Sequence, residues 1–218
     1  MFDAIILMAG KGERANLGYN KVFYKLNDKP LYSYSLDAFL KVKECNKIIL
    51  VVNKEDFAKV SFLETDKIKI VLGGKERQDS VYNGVSAAES EIVLIHDGAR
   101  ANIKPKDVIN LFNEMEKHKA AVLANKVTDT IKVVKNGYAN KTLDRRNLWA
   151  MQTPQGLNRK LFLDCLQKAK KDAYYGFDDV ELIEKYTNEV VKIVEGSNLN
   201  IKATIKEDFA LLEFLLKE

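Results

Sequence analysis

The stretch that decides the fold is AIILMAGKGERANLGYNK, residues 4–21. It begins with an apolar run, Ile5 to Met8, which stops abruptly at Ala9-Gly10-Lys11-Gly12. Two basic side chains, Arg14 and Lys21, follow. Glycine lets backbone N–H groups come close to phosphate oxygens, and Arg and Lys supply positive charge. A buried strand that opens into a glycine loop with two cations beyond it therefore predicts a nucleotide site.

Three structures compete for this loop when it is considered alone. A P-loop requires G-x-x-x-x-G-K-[ST], and the loop has neither that spacing nor the final Ser or Thr. The Rossmann dinucleotide motif is closer, because residues 10–15 fit G-x-G-x-x-A. However, that motif needs an immediate helix and an acidic residue after the second strand, whereas residues 17–20 resemble a loop and that strand ends at Val52-Asn53. The third is a tight turn that needs glycine only for its backbone angles.

Composition excludes several classes of protein. The chain has 218 residues, with 35 Lys and Arg against 31 Asp and Glu, and this small, scattered excess does not indicate nucleic-acid binding. Cys45 and Cys165 are far apart and outside any metal-binding pattern, which predicts two reduced thiols. No apolar run approaches the ~20 residues of a membrane helix, and no signal segment precedes the first strand, so we expect a cytoplasmic protein without membrane partners.

Apolar runs of strand length alternate with helical patterns. Strands rich in Ile, Val and Leu predict a mostly parallel sheet covered on both faces, an α/β fold. Ligands of such sheets bind at the carboxyl ends of the strands, where the Gly10 loop, the Gly73 loop and Asp97 fall. The predicted strands are 4–8, 47–52, 67–72, 92–96, 121–125 and 190–194, and the predicted helices are 30–40, 79–88, 105–117, 159–170, 178–185 and 207–216.

Residues 130–143 interrupt the alternation. Two strand-like segments, 130–134 and 138–143, flank Asn136-Gly137, which predicts a β-hairpin with an Asn-Gly turn. Such an arm could pack on its own domain or reach a partner subunit. We therefore expect one domain, residues 1–218, carrying a β-arm at 129–150.

Seven further motifs accompany the glycine loop, in an order and spacing that are specific as a set. With them the chain resembles the 2-C-methyl-D-erythritol 4-phosphate cytidylyltransferases of non-mevalonate isoprenoid synthesis. It is also similar to ribitol-5-phosphate cytidylyltransferases, which share the loop and the TPQ segment, but Asp144-Arg145 with Leu148-Trp149 favours the first family. The motifs are Gly73–Val81, His96–Arg100, Asp129–Lys132, Asp144-Arg145, Leu148-Trp149, Gln152–Gln155 and Asn200–Lys202.

The resemblance implies a Rossmann-like three-layer sandwich of the nucleotide-diphospho-sugar transferase type. It also implies that an acceptor phosphate attacks the α-phosphorus of CTP and releases pyrophosphate. A phosphate monoester is already anionic, so catalysis needs positioning and charge neutralisation rather than a general base. Arg14 and Lys21 would stabilise the transition state; the alternative for both is a solvated loop charge. A non-catalytic CTP-binding module is the competing class of function.

The resemblance further implies the nucleotide contacts. Main-chain groups at the Gly10 loop would recognise cytosine, and Ser80 would close on the base or cap a helix. Asp97 would hold Mg²⁺, which prefers one or two carboxylates together with phosphate oxygens, or would cap a turn. The complete predicted set is Met8, Ala9, Gly10, Gly12, Gly74, Ser80, Asp97 and Gly98.

On the acceptor side, the resemblance implies contacts from Thr130, Arg145 and Lys202, the last two counted as catalytic. Because Thr130 and Arg145 belong to the arm, they would reach the neighbouring subunit's site in a homodimer. Asp144 would orient Arg145. Arg100 would anchor the arm or assist the acceptor site.

Other residues receive simpler interpretations. His96 is predicted to be a core histidine pointing away from Asp97, Trp149 a buried packing residue, Arg77 a loop brace or a catalyst, and Lys11 a solvated charge or accessory phosphate contact. Three positions depart from the family pattern. Asn20 replaces Pro and would leave the lysine loop less restrained, Ala101 replaces another Pro, and Phe177 stands where Thr usually helps to hold the acceptor.

Overall fold

Strands and helices alternate along most of the chain in the computed structural model, which describes residues 1–10 and 12–217 and only the backbone of Glu13. Lys11, and with it the predicted accessory phosphate contact, lies outside the described residues. The strands are β1 (Phe2–Leu7), β2 (Lys25–Leu26), β3 (Lys29–Pro30), β4 (Cys45–Val52), β5 (Ile68–Leu72), β6 (Ile92–Asp97), β7 (Ala120–Lys126), β8 (Lys132–Lys135), β9 (Tyr138–Thr142), β10 (Trp149–Asn158) and β11 (Lys192–Glu195). The helices are α1 (Leu31–Leu40), α2 (Phe57–Val60), α3 (Arg77–Ala87), α4 (Pro105–Glu114), α5 (Arg159–Lys171), α6 (Val180–Tyr186) and α7 (Lys206–Leu215).

The central sheet has seven strands in the order β11-β7-β10-β6-β1-β4-β5. β1 lies between β4 and β6 and is parallel to both, while β10 is antiparallel to its two neighbours. The predicted α/β fold with a mostly parallel sheet is therefore confirmed. Because the parallel strands point the same way, the ends of β1, β4, β5 and β6 meet at one edge.

Two apolar layers cover the sheet. Ala4 and Ile6 of β1, with Met8 just after it, pack in one cluster with α1 and α4, whereas Ile5 faces a second cluster with α3, α5 and α6. This alternation follows from the two-residue period of a strand. Apart from Leu7, the side chains of β1 are buried on both faces of the sheet. This burial explains the near-continuous apolar run in the sequence of the strand.

β10 is the principal element that the sequence did not predict. Its centre reads Gln152-Thr153-Pro154-Gln155-Gly156, which has neither an apolar run nor a strand-like alternation. The strand is buried there because its polar side chains find partners: Gln155 Oε1 accepts from the backbone N–H groups of Asp179 and Val180 at 3.0 and 3.1 Å. Sequence patterns detect burial by apolar residues, so a strand buried through hydrogen bonds escapes them.

The predicted hairpin forms, and β8 and β9 make a separate two-stranded sheet. Asn136 and Gly137 have φ values of 53° and 82°. An Asn-Gly hairpin turn of two residues requires such positive φ values at both positions. The chain leaves the central sheet after Lys126 and returns at Trp149, so the last two residues of the expected arm belong to β10. All residues of both arm strands are exposed.

Both cysteines are free and buried. Burial raises the pKa of the Cys45 thiol to about 12, so this side chain behaves as a small apolar group. Among the helices that the structure describes, none combines the length and apolar character of a membrane span.

Asp3, near the start of β1, links several segments at the edge of the sheet opposite to the carboxyl ends of the parallel strands. Burial alone would raise its pKa, but the surrounding hydrogen bonds outweigh this and hold the pKa of Asp3 below its usual value. Both carboxylate oxygens of Asp3 accept these hydrogen bonds. Oδ2 accepts from the backbone N–H groups of Glu89 (2.6 Å) and Ser90 (2.8 Å), and Oδ1 accepts from Ser90 Oγ (2.7 Å), Asn46 Nδ2 (3.0 Å) and Lys47 N (3.1 Å).

Replacing Asp3 by Asn is expected to lower the free energy of unfolding by about 2 kcal/mol, since the amide N–H₂ would face donors. Urea unfolding at pH 7 measures this. The loss should shrink in acid, because a lowered pKa gives stability that is present above the unfolded-state value and lost as pH falls through the folded-state value. Asp66→Asn, the same change at an exposed site, is the control, and an equal loss there would contradict the argument.

Candidate active site

The carboxyl edge of the sheet opens into a cavity of about 730 Å³. It collects the segments that follow β1, β4, β5 and β6, together with the loop that carries Lys21 and the segment that carries Lys202. Ten predicted site residues line it: Met8, Ala9, Gly10, Gly12, Arg14, Lys21, Gly74, Ser80, Asp97 and Lys202. Gly98, Arg100, Thr130 and Arg145 are not among the described lining residues.

Gly12 packs directly against Lys21. Its φ is +71°, and a Cβ built there would lie 3.0 Å from Lys21 Cγ and 3.1 Å from Lys21 N. Glycine is thus required here both for the backbone angle and for the close approach. The Gly73-Gly74 loop is equally tight, because a Cβ on Gly74 would lie 2.2 Å from Asp79 Cβ.

Lys21 is 9% exposed although it is a lysine. Burial, followed by the nearby positive charges of Lys202 and Arg14, lowers its pKa below the usual value. Neither Lys21 nor Arg14 forms an ion pair with any carboxylate whose side chain the structure describes. The site thus holds cations that a bound polyphosphate would stabilise.

The lysine loop is more firmly held than we expected from Asn20. This side chain is 6% exposed and donates to Met8 O at 2.7 Å and to Asp56 Oδ2 at 2.9 Å, while its own oxygen accepts from Val22 N at 3.3 Å. The expectation of a loosely restrained loop is therefore wrong: hydrogen bonds provide the restraint.

Asp97 ends β6 and is surrounded by three cations. Its Oδ2 lies 2.7 Å from Lys202 Nζ and 4.0 Å from Arg100 Nε, and its Oδ1 lies 3.8 Å from Arg77 Nη2. Burial alone would raise the pKa of Asp97, but Arg77, Lys202 and Arg100 outweigh it and hold the pKa well below its usual range. The carboxylate is therefore charged at every pH at which the protein would work.

Arg100 supports the Lys202 segment of its own chain. Arg100 Nη1 donates to Asn200 O at 2.7 Å, and Ala203 N donates to Ala99 O at 2.9 Å. Asn200 Nδ2 in turn donates to Thr153 O of β10 at 2.9 Å. Lys202 is thereby fixed relative to Asp97 by its neighbours on both sides.

Arg77 is a brace. Its guanidinium donates in parallel to Asp179 Oδ1 and Oδ2, both at 2.8 Å, and this joins the Gly73 loop to the start of α6. Ser80 also serves the loop, since its hydroxyl accepts from Gly74 N at 3.0 Å and donates to Glu76 O at 3.2 Å. If Ser80 also contacts the base, as the resemblance implies, it would have to use this same hydroxyl.

Gly98 uses its backbone N–H within the sheet. This N–H donates to Leu7 O at 3.0 Å, and a Cβ would lie 3.1 Å from the same oxygen. The N–H therefore joins β6 to β1 and is not available to a nucleotide.

His96 is the core histidine that the sequence predicted. It is fully buried, and its ring nitrogens lie 3.1 Å from Thr153 Oγ1 and 3.3 Å from Ser35 Oγ and Arg100 O. Burial lowers its pKa to about 4. The ring is thus neutral near pH 7 and points away from the cavity, so it does not act as an acid or base there.

Two predictions for the arm need correction. Asp144 pairs with Arg146, at 2.6 Å from Nη2, and not with Arg145, whose Nη1 donates to Thr128 O at 2.5 Å. Trp149 is half-buried rather than buried, with Lys126 Nζ 5.4 Å from its ring centre. Thr130 and Arg145 are exposed on the arm.

The sequence also missed part of the cavity wall. Asn53, Lys54 and Glu55 line it immediately after β4. A signal was available, because the predicted strand 47–52 is expected to end at the same edge as β1 in a parallel sheet. No motif marks these residues, and only their position at a strand end would have identified them.

The sequence matches, over residues 2–218, the profile of the IspD family, 2-C-methyl-D-erythritol 4-phosphate cytidylyltransferase. The chain belongs to this family. Curated relatives of that name include one from Geobacillus thermodenitrificans, 42% identical over 221 residues that cover 99% of this chain and 96% of the relative. Another, from Clostridioides difficile, is 39% identical over 223 residues that cover 99% of this chain and 94% of the relative.

Solved structures of the family share the fold. The 4-diphosphocytidyl-2C-methyl-D-erythritol synthase of Anaerococcus prevotii superposes with a TM-score of 0.89 at 30% identity, covering 100% of this chain and 99% of the other. The Francisella tularensis IspD gives 0.85 at 27% identity, with 99% of both chains covered. The predicted nucleotidyltransferase and its nucleotide-sugar transferase type of fold are thereby confirmed.

Replacing Arg77 by Lys is expected to lower the free energy of unfolding by about 2 kcal/mol, because Asp179, whose side chain is 3% exposed, loses one of two hydrogen bonds. Arg146→Lys is the matched control: it disrupts a similar forked pair with Asp144, but on side chains 86% and 47% exposed, where solvent screening leaves little or no loss to measure. Denaturant unfolding of both variants measures the difference, and equal losses would rule out the brace.

Proposed function

We propose that this chain transfers the cytidylyl group of CTP to 2-C-methyl-D-erythritol 4-phosphate in isoprenoid biosynthesis. The products are CDP-methylerythritol and pyrophosphate. Family membership supports the reaction, and the grouping of Lys21, Arg14 and Lys202 around one cavity supports the site. Cations that gather at the carboxyl edge of a parallel sheet beside a glycine loop suit a triphosphate.

The chemistry requires an oxygen of the acceptor phosphate to attack the α-phosphorus of CTP. A P–O bond forms to that oxygen, the bond to the bridging oxygen of the β-phosphate breaks, and pyrophosphate leaves with the electron pair. The attacking oxygen is already anionic, so no proton has to be removed. The protein's task is to align two anions and to offset the charge that accumulates between them.

The residues of the cavity divide this task. Lys21 and Arg14 face the triphosphate and stabilise charge on the α-phosphate and the leaving pyrophosphate. Lys202, with its ammonium beside Asp97 in the free protein, turns to the acceptor phosphate. Backbone groups of Met8, Ala9 and Gly10 recognise the base, as expected from a loop that brings main-chain atoms to the cavity surface.

A divalent cation fits Asp97. The carboxylate is charged and faces the cavity, and a hard oxygen ligand of this kind suits Mg²⁺ when phosphate oxygens complete the coordination. No cluster of three or more His, Cys, Asp or Glu side chains occurs among the described residues, so the nucleotide would supply most of the ligands. When bound, the ion would offset charge on the triphosphate. Lys202 Nζ, now 2.7 Å from Oδ2, would then give up this oxygen.

We also propose a homodimer in which the arm of residues 129–150 completes the partner's site. Thr130 and Arg145 are exposed on the arm and are not among the described residues lining the cavity of their own chain. Arg145 suits the acceptor phosphate, because guanidinium binds such groups through two parallel hydrogen bonds. We place the reaction in the cytoplasm, where thiols such as Cys45 and Cys165 stay reduced.

Purified protein with CTP and Mg²⁺ is expected to release pyrophosphate with 2-C-methyl-D-erythritol 4-phosphate, and at least ~10-fold more slowly with ribitol 5-phosphate. A coupled pyrophosphate assay with each acceptor in turn measures this. Turnover with ribitol 5-phosphate alone would replace the proposed acceptor. CTP binding without turnover on either would instead identify a binding module.

Mixing two inactive variants tests the shared site. Lys21→Ala and Arg145→Ala should each lose most activity alone. A 1:1 mixture, allowed to exchange subunits, should recover about a quarter of wild-type activity, because half the dimers have one site with an intact core and an intact arm. No recovery despite proven exchange would place the arm at its own chain's site. Lys141→Ala, an exposed arm residue, should be active by itself.

A further inference from the structure

Asn20 uses all of its side-chain hydrogen-bonding groups in holding other segments. Both amide hydrogens are engaged, by Met8 O at 2.7 Å and Asp56 Oδ2 at 2.9 Å, and the amide oxygen accepts from Val22 N at 3.3 Å. Although Asn20 lies at the cavity wall, it has no amide hydrogen left for a ligand. Any effect of this amide on a ligand would therefore act through its neighbours.

Asp56 anchors this amide to the loop after β4. The carboxylate is 3% exposed, and its Oδ2 also accepts from Asn53 Nδ2 at 2.8 Å, while its Oδ1 lies 2.6 Å from Lys59 Nζ. Burial alone would raise the pKa of Asp56, but hydrogen bonds from Lys59, Asn20 and Asn53 hold it below the usual value. The acceptor is a charged one, so its bond to Asn20 is of the stronger, charge-assisted kind.

The two side chains thus join three segments at the cavity: the end of β1, the lysine loop and the loop after β4. Asn20 also begins the short helix Lys21–Phe23, since Phe23 N donates to its carbonyl at 3.1 Å. Gly12 packs against Lys21 on its other side, where a Cβ would lie 3.0 Å from Lys21 Cγ. The lysine is therefore flanked by one closely packed glycine and one hydrogen-bonded asparagine.

We propose that Asn20, anchored by Asp56, is a positioning residue that sets Lys21 for cytidylyl transfer. This inference rests on the proposed function. The φ of Asn20 is −64°, the value that a proline ring would impose. A proline could restrain the backbone but could not link Met8 to Asp56. In this chain the restraint is a side-chain network, and it connects Lys21 to the strand end that carries the base-binding loop.

A double-mutant cycle separates positioning from a general structural role. Asn20→Ala is expected to lower kcat about 10- to 100-fold with little change in KM for CTP, since a misplaced catalytic group costs rate of this size. In the Lys21→Ala background the same change should cost no more than about twofold, because the group being positioned is gone. Concentrated enzyme and a pyrophosphate assay make the residual rates measurable.

Two further variants keep the test decisive. Asp56→Asn preserves the side-chain volume and replaces one acceptor by a donor. It takes the place of Asn20→Ala in the double-mutant cycle if Asn20→Ala does not fold. We expect it to lower kcat less than Asn20→Ala does, and this loss should also disappear in the Lys21→Ala background. Asn46→Ala is the control, because Asn46 likewise donates to a buried aspartate, Asp3, at the opposite edge of the sheet, and its kcat should be unchanged.

The outcomes are distinct. Equal fold-losses from Asn20→Ala with and without Lys21, or no loss at all, would overturn the inference. A wild-type protein inactive with 2-C-methyl-D-erythritol 4-phosphate would instead overturn the proposed function, and the acceptor assay shows this before any variant is made.

Discussion

One carboxylate organises the cavity. Asp97, at the end of β6, attracts cations from three other parts of the chain: Arg77 after β5, Arg100 in the following turn and Lys202 near the C-terminus. Two of them are also fixed elsewhere, Arg77 by Asp179 and Arg100 by the carbonyl of Asn200. Segments far apart in sequence therefore meet at one point, and the rim of the cavity depends on this meeting. Removing the negative charge would leave neighbouring cations facing one another without compensation.

The fold was largely predictable because its signal is simple. Parallel strands covered on both faces require continuous apolar runs, so β1, β4 and β6 were identifiable within a few residues. β10 was not, because Gln152, Thr153 and Gln155 are buried through hydrogen bonds to segments that only the tertiary structure brings near. A single sequence carries no mark of such partners.

The same limit applies to the site. The charged residues of the motifs, such as Lys21 and Asp97, were predicted from the resemblance, and the structure places both at the cavity. Asn20 was misjudged: taken alone, the loss of a proline suggests a freer loop, whereas the structure replaces the ring by three hydrogen bonds. Their acceptors and donors, among them Asp56 at 36 residues' distance in sequence, have no recognisable spacing. Pairing of Asp144 with Arg146 instead of Arg145 was likewise a matter of local geometry.

The distribution of counter-charges suits the proposed binding of two anions in one cavity. Lys202 has a carboxylate partner in the free protein, whereas the pKa of Lys21 is lowered first by burial and then by the like charges of Lys202 and Arg14. The folded chain therefore holds a local excess of positive charge at a cost in stability, as functional sites commonly do. A triphosphate relieves that repulsion when it binds, and the relief grows as charge accumulates during phosphoryl transfer. Gly12 packs against the Lys21 side chain, and the hydrogen bonds of Asn20 hold the neighbouring backbone, so the loop that carries the lysine is restrained from both sides. In the proposed reaction, electrostatic strain and restraint of the loop therefore act on the same residue: the repulsion favours binding of the triphosphate, and the hydrogen bonds of Asn20 set the backbone from which Lys21 extends.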